Sequence, residues 1–132
     1  MKIEVSTGEI LDKWTILKIK MQRIKDKDKL ANVGAEYVYL NDVKDDIEHD
    51  LTNTEYQKLS VLVEQLYVIN TALWDIEDAI RDKELAEEFD QEFIEIARSV
   101  YITNDKRAAV KKQINTLTRS DFTEEKSYKE YQ

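Results

Sequence analysis

The sequence predicts an all-α fold: one elongated helical bundle of about five helices with coiled-coil-like packing. Three observations carry this expectation. The chain has no proline and only two glycines, Gly8 and Gly34, so the usual punctuation of hairpins and long loops is missing. Apolar residues recur at three- and four-residue steps through most of its length, the spacing of one helical face. With 42% hydrophobic and 36% charged residues, the 132-residue chain can bury roughly two thirds of its unfolded surface around one core, so residues 1–132 form a single domain.

The first helix covers about residues 8–25. Ser6 with Glu9 three residues on reads as a capping box, and Ile10, Trp14, Leu17, Met21 and Ile24 form one stripe. A charged connection, Lys25 to Lys29, leads to the second helix, with Asp28 as N-cap and Leu30, Val33, Tyr37, Leu40, Val43, Ile47 and Leu51 as its stripe. Gly34 inside it costs about 1 kcal/mol relative to alanine, which implies a close neighbour or a locally weak helix. Thr52 and Glu55 give another capping box.

The third helix follows, with Leu59, Leu62, Leu66, Ile69, Leu73, Ile76 and Ile80 in unbroken alternation of three and four. That is a coiled-coil seam on a helix about 28 residues long, or roughly 42 Å, packing lengthwise against the first two helices or another subunit. A fourth helix is marked by Leu85, Phe89, Phe93, Ile96 and Val100, and a fifth, capped by Thr103 or Asn104, by Ala108, Val110, Ile114 and Leu117. Residues 118–132 carry Phe122, Tyr128 and Tyr131 as their large apolar side chains and read as a strap or a flexible tail.

Composition removes whole chemistries. Without cysteine there is no disulfide, thiolate nucleophile or cysteine-ligated metal. His49 stands alone, so a histidine zinc cluster cannot form within one chain, and it reads as an exposed cation at the end of the second helix. With glycine only at positions 8 and 34, neither G-x-x-x-x-G-K-[ST] nor G-x-G-x-x-G is present, so both common phosphate-cradling loops are missing. No secretory leader or apolar membrane-spanning run is visible, which places the expected location in the cytoplasm with no membrane partner. The net charge of −8 argues against bulk nucleic-acid binding. The basic run from Lys18 to Lys29 is interrupted by Asp26 and Asp28 and carries no interleaved aromatic residue for base stacking.

Charge placement says more than the total. Residues 75–95 hold ten acids and two bases, net −8, while residues 98–119 hold six bases and one acid, net +5. If the fourth and fifth helices form an antiparallel hairpin, acid faces base across a short turn as a solvated, mutually neutralising surface. A sharper reading treats Asn104, Asp105, Lys106 and Arg107 as the first turn of the fifth helix. Free N–H groups, the helix dipole and Lys106 or Arg107 would then form an anion or phosphate site, with Arg98 and Tyr101 turned into the same corner and Asp105 opposing it. On the third helix, Asn70, Trp74, Glu77, Asp78 and Arg81 border the seam, as Glu9, Asp12 and Lys13 do on the first. These patches read as register-fixing ion pairs. In the alternative reading, Glu9, Asp12, Glu77 and Asp78 are candidate Mg²⁺ or Mn²⁺ ligands.

Four strings carry a resemblance: Glu4 to Lys20, Leu73 to Asp78, Phe93 to Ala108 and Glu124 to Tyr128. Together they resemble a family of small bacterial proteins classed as a domain of unknown function, over nearly the whole chain. Trp14 stands where the pattern leads one to expect an aliphatic residue, a packing variation that touches none of the candidate roles. The resemblance implies no mechanism; it implies a neighbourhood of surface-polysaccharide or glycosyl-transfer genes for some members. It also implies that Gly8, Glu9, Asp12, Lys13, Trp74, Glu77, Asp78, Arg98, Tyr101, Asn104, Asp105, Lys106 and Arg107 fall on recurrent positions of the family.

The leading expectation is a non-enzymatic interaction or accessory module that self-associates or binds a partner protein through its helix seams, with no cofactor. The alternative is an all-α protein binding a phosphate, nucleotide or nucleotide-sugar, or a Mg²⁺-dependent hydrolase. The E-E-x-x-E signature of all-α nucleotide pyrophosphohydrolases is missing: after Glu87 and Glu88, Gln91 stands where the third glutamate would be. That weighs against an enzyme.

Overall fold

The computed structural model describes residues 1–132 and contains four α-helices: α1 Thr7–Arg23, α2 Lys27–His49, α3 Asn53–Leu85 and α4 Gln91–Leu117. There is no strand. α1 is the shortest helix and the central one, packing on α2, α3 and α4. It is therefore buried on more than one side, through Leu11, Asp12 and Thr15 and through Leu17 and Ile19. The core joins Leu11 of α1 to Leu59, Val63 and Leu66 of α3 and to Val110 and Ile114 of α4. Ile47 and Leu51 reach it from the end of α2.

The caps follow the sequence with two shifts. Thr52 and Glu55 form the full capping box at α3, each side chain bonded to the other's backbone N–H. At α1 only half a box forms: Ser6 Oγ accepts from Glu9 N, while the Glu9 carboxylate turns to Lys111. The N-cap of α2 is Asp26, whose Oδ1 accepts from Lys29 N at 2.9 Å, rather than Asp28, which lies in the first turn. Trp14 bridges α1 to α2, donating from Nε1 to Asn41 Oδ1 at 2.6 Å and stacking on Tyr37.

The expected fourth and fifth helices are one. α4 runs unbroken from its N-cap Asp90 through Thr103 and Asn104 to Leu117, giving four helices instead of five. Thr-Asn-Asp at 103–105 has the composition of a cap, but with no glycine or proline there the i→i−4 ladder simply continues. Leu85 belongs to the end of α3, which is correspondingly longer than its seam alone suggested. The break falls at residues 86–90, where Glu87 adopts a left-handed φ of 54° and Glu88 N bonds back to Lys83 O.

α3 and α4 are antiparallel: Arg119 pairs with Glu55 at one end and Lys83 with Asp90 at the other. At 33 residues, about 50 Å, α3 outruns α1, whose last residue Arg23 pairs with Asp75. Past that level the α3–α4 hairpin projects alone. The acidic block thus straddles the tip of the hairpin, so acid faces acid there and the expected acid-to-base pairing across the turn does not form. Lys83 answers part of this charge, holding Glu88, Asp90 and Glu92 within 3.0–3.2 Å. Residues after Ser120 have no regular secondary structure and lie back along α4, held by Glu124 on Lys111 and Tyr131 on Asp105.

Candidate functional site

The site is built where α1, α3 and α4 meet, and its first requirement is Gly8. A Cβ there would lie 2.7 Å from the Lys111 carbonyl oxygen and 2.9 Å from Asn115 Oδ1, so only glycine lets α1 approach α4 this closely. The approach also satisfies the start of α1 from outside. Gly8 N–H donates to Asn115 Oδ1 at 2.7 Å and Thr7 N–H to Ser120 Oγ at 3.1 Å, while Ser6 takes Glu9 N–H. That helix terminus is closed by protein groups. Asn115 Nδ2 is the one buried side-chain polar atom without a partner.

One turn further along α1, Asp12 is 1% exposed. Its Oδ1 accepts from Asn70 Nδ2 of α3 at 2.8 Å and from Arg107 Nε of α4 at 2.9 Å, and its Oδ2 accepts from Arg107 Nη2. Thr15 Oγ1 accepts from Asn70 Nδ2 at 2.8 Å and donates to the Asp12 carbonyl at 2.7 Å. A single carboxylate therefore fixes three helices in register through a bidentate guanidinium pair. The hydrogen bond to Asp12 holds the Arg107 pKa above its ordinary value against the opposing effect of burial. Beside it, Lys111 pairs with Glu9 at 2.7 Å and Glu124 at 2.8 Å. Burial pulls the Lys111 pKa down, but these hydrogen bonds and the Asp12 charge outweigh it and the net shift is upward. Glu124 is lowered in turn, chiefly by its hydrogen bond from Lys111.

Above Asp12 a groove of about 530 Å³ opens where α1 parts from the hairpin. Its walls are Ile16 and Lys20 of α1, Asn70, Trp74, Glu77, Asp78 and Arg81 of α3, and Val100, Asn104 and Arg107 of α4. The groove thus brings together residues from both patches singled out in the sequence: Asn104 and Arg107 from one, Glu77 and Asp78 from the other. The remaining candidates are elsewhere. Tyr101 and Lys106 line a separate cleft between α4 and the C-terminal segment, where Tyr101 meets the Tyr131 ring at 5.0 Å. Arg98 is exposed and makes no ion pair. Because residues 104–107 lie within α4, their N–H groups are spent on the helix ladder, and the expected anion site at a helix start is corrected by the continuity of α4.

Of the metal candidates, Glu9 is taken by Lys111, Asp12 by Arg107 and Asn70, and Glu77 by Arg81 at 3.2 Å. No three His, Cys, Asp or Glu side chains stand together as a metal-binding group. The sequence reading missed Lys111, Asn115 and Glu124 as partners. Arg107, Lys111 and Asn115 recur every four residues on the face of α4 that also carries Val110 and Ile114, and that polar line on an apolar face was the available signal.

The chain matches a family of unknown function (DUF6165) over residues 1–131. No curated protein and no solved structure matches it.

Proposed function

The chain belongs to that family of unknown function, and on this footing we propose that it is a non-enzymatic accessory module that associates with a second copy through the tip of the α3–α4 hairpin. One observation carries the reading. Leu59 and Leu66 of the α3 seam are 1% and 0% exposed where α1 covers them, whereas at the tip Leu85, Phe89 and Ile94 are exposed and Ile80, Phe93 and Ile96 only half-buried. Exposed large apolar side chains gathered at the end of a two-helix projection are the usual mark of an interaction surface. The acids around them select a basic counterpart. Such a region exists on the chain itself: Lys18, Lys20, Arg23, Lys25, Lys27 and Lys29 surround the α1–α2 turn at the foot of the projection. A two-fold pairing of antiparallel hairpins sets each tip against the other copy's basic turn, the isologous arrangement most common among homodimers.

The buried side of the polar cluster supports a structural role. Asp12 is saturated with donors and closed to solvent, which makes it a poor base or nucleophile. Sedimentation velocity over about a hundredfold range of protein concentration tests the association. A monomer–dimer equilibrium lost in Phe89→Glu is expected; a monomer at every concentration overturns the reading.

A further inference from the structure

Residues 121–132 are seated on α4 by side chains alone. Their root is Ser120, whose N–H donates to the Asn115 carbonyl at 2.9 Å and whose Oγ accepts from Thr7 N–H, just after Arg119 has turned the chain back with a left-handed φ of 55°. Beyond that root no backbone–backbone hydrogen bond involves the segment, and every residue in it is exposed. It adds nothing to the core, and a segment of this kind frays unless something ties it down.

The ties are matched in order along the helix. Glu124 meets Lys111 at 2.8 Å and Glu125 lies 3.9 Å from Lys112. Farther back along α4, Asp105 accepts from the Tyr131 hydroxyl at 2.7 Å and lies 3.9 Å from Lys126, while the Tyr131 ring packs edge-on against Tyr101. Acid sits on base, base on acid and ring on ring. The receiving side is fixed without the segment: Lys111 is 7% exposed, pairs also with Glu9 at 2.7 Å, and has Gly8 packed against its backbone carbonyl. Tyr101, Asp105 and Lys112 project from the same unbroken helix. A face that is already organised lowers the cost of binding whatever occupies it.

The segment fills that face incompletely. A cleft of about 840 Å³ stays open between it and α4, lined by Tyr101, Ile102 and Ala109 on the helix and by Tyr128 on the segment. Ala109 and Lys112 also line a second groove, of about 700 Å³, which runs onto α3 past Val61, Leu62 and Leu117 and has no carboxylate in its walls. An extended chain with the same acid pair and larger apolar side chains would bury surface that residues 121–132 leave open, and would displace them.

We propose that residues 121–132 are an autoinhibitory strap, and that the α4 face beneath them is a docking surface for an extended acidic segment of a partner protein. The partner segment sets two adjacent carboxylates on Lys111 and Lys112 and an aromatic side chain on Tyr101, and its apolar residues enter the two clefts. Because the strap is tethered, its effective concentration at the face is about millimolar, so a partner segment with an affinity of about 100 µM is weakened roughly tenfold until the strap lifts. The face is separate from the hairpin tip, and the inference stands whether or not the chain dimerises there.

A fluorescein-labelled peptide of residues 121–132 is the probe, titrated by fluorescence anisotropy with the full chain and with a full chain whose strap is repelled by Glu124→Lys and Glu125→Lys together with Tyr131→Ala. Both proteins carry Phe89→Glu, so self-association at the tip plays no part. The three strap side chains are exposed, and an unchanged thermal midpoint verifies the fold. Glu124→Gln with Tyr131→Phe, run beside them, weakens the same contacts without reversing charge. Saturable binding to the opened chain is expected, with about tenfold weaker binding to the chain that keeps its natural strap and none by a peptide carrying Glu124→Lys and Glu125→Lys. Equal affinity for both chains, no binding to the opened chain, equal binding of the charge-reversed peptide, or tighter binding of an oligothymidylate of the same length overturns the inference.

Discussion

Two glycines in this chain are opposite in kind. At Gly8 an added methyl group meets backbone, the Lys111 carbonyl, and a buried hydrogen bond to Asn115; at Gly34 it meets only the flexible end of Met21, at 3.8 Å. Gly8→Ala is therefore expected to destabilise by about 1–3 kcal/mol through overpacking, and Gly34→Ala to stabilise by about 0.5–1 kcal/mol through helix propensity. Urea denaturation of the two variants checks the sign of each. Removing Arg107 strands a carboxylate inside the molecule. Arg107→Ala is expected to cost about 3–5 kcal/mol, and Asp12→Asn combined with Arg107→Leu to recover much of it, because the penalty lies in the unpaired charge. Chemical denaturation of the single and double variants measures that coupling. Asp12 and Arg107 were legible as candidates and Gly8 only as a recurrent position that the family resemblance implies, but the contacts of all three were not legible. Asp12 and Arg107 are 95 residues apart, and no periodicity within either helix specifies the angle at which the two cross.

The existence of helices was the most legible level, together with the starts of α1 and α3, since a cap is a local hydrogen-bond exchange; the starts of α2 and α4, at Asp26 and Asp90, were not legible. The Thr52–Glu55 box shows this and has a pH consequence. The backbone N–H of Thr52, helped by Arg119, lowers the Glu55 pKa from 4.5 to about 2. A carboxylate depressed on folding contributes stability that is full above pH 4.5 and is lost as pH falls through about 2. Thermal midpoints taken from pH 5 to pH 2 are expected to fall less steeply in Glu55→Gln than in the parent over that window. Ends were harder to read. Thr103 and Asn104 imitate a cap inside a helix, whereas the actual break, at Glu87, lacks the glycine that normally signals one. A non-glycine residue held at φ 54° carries strain of about 1 kcal/mol. Glu87→Gly is expected to raise stability by about that amount in urea denaturation, since it relieves the backbone and removes one acid from a crowded turn.

Across the whole molecule the decisive feature is where charge sits relative to the projecting hairpin. The acidic block at residues 75–95 is legible in the sequence alone, but its meaning depends on where the turn lies. With the turn at residues 86–90 rather than beyond 100, the block is folded onto itself at the tip, and Lys83, its pKa raised first by Glu88 and then by Asp90, is the main cation there. The sign of the salt effect on self-association follows from this. If two copies met tip to tip, added salt would screen acid from acid and strengthen the dimer. If each tip meets the other's basic turn, salt screens an attraction and weakens it, because the Debye length shortens from about 10 Å at 0.1 M to about 3 Å at 1 M. The antiparallel pairing is thus expected to weaken several-fold between low and high ionic strength in sedimentation velocity. Lys27→Glu with Lys29→Glu should weaken it most at low salt and leave little salt dependence. A dimer that tightens as salt is added would mean that like-charged tips meet, and would exclude the basic turn as the docking surface.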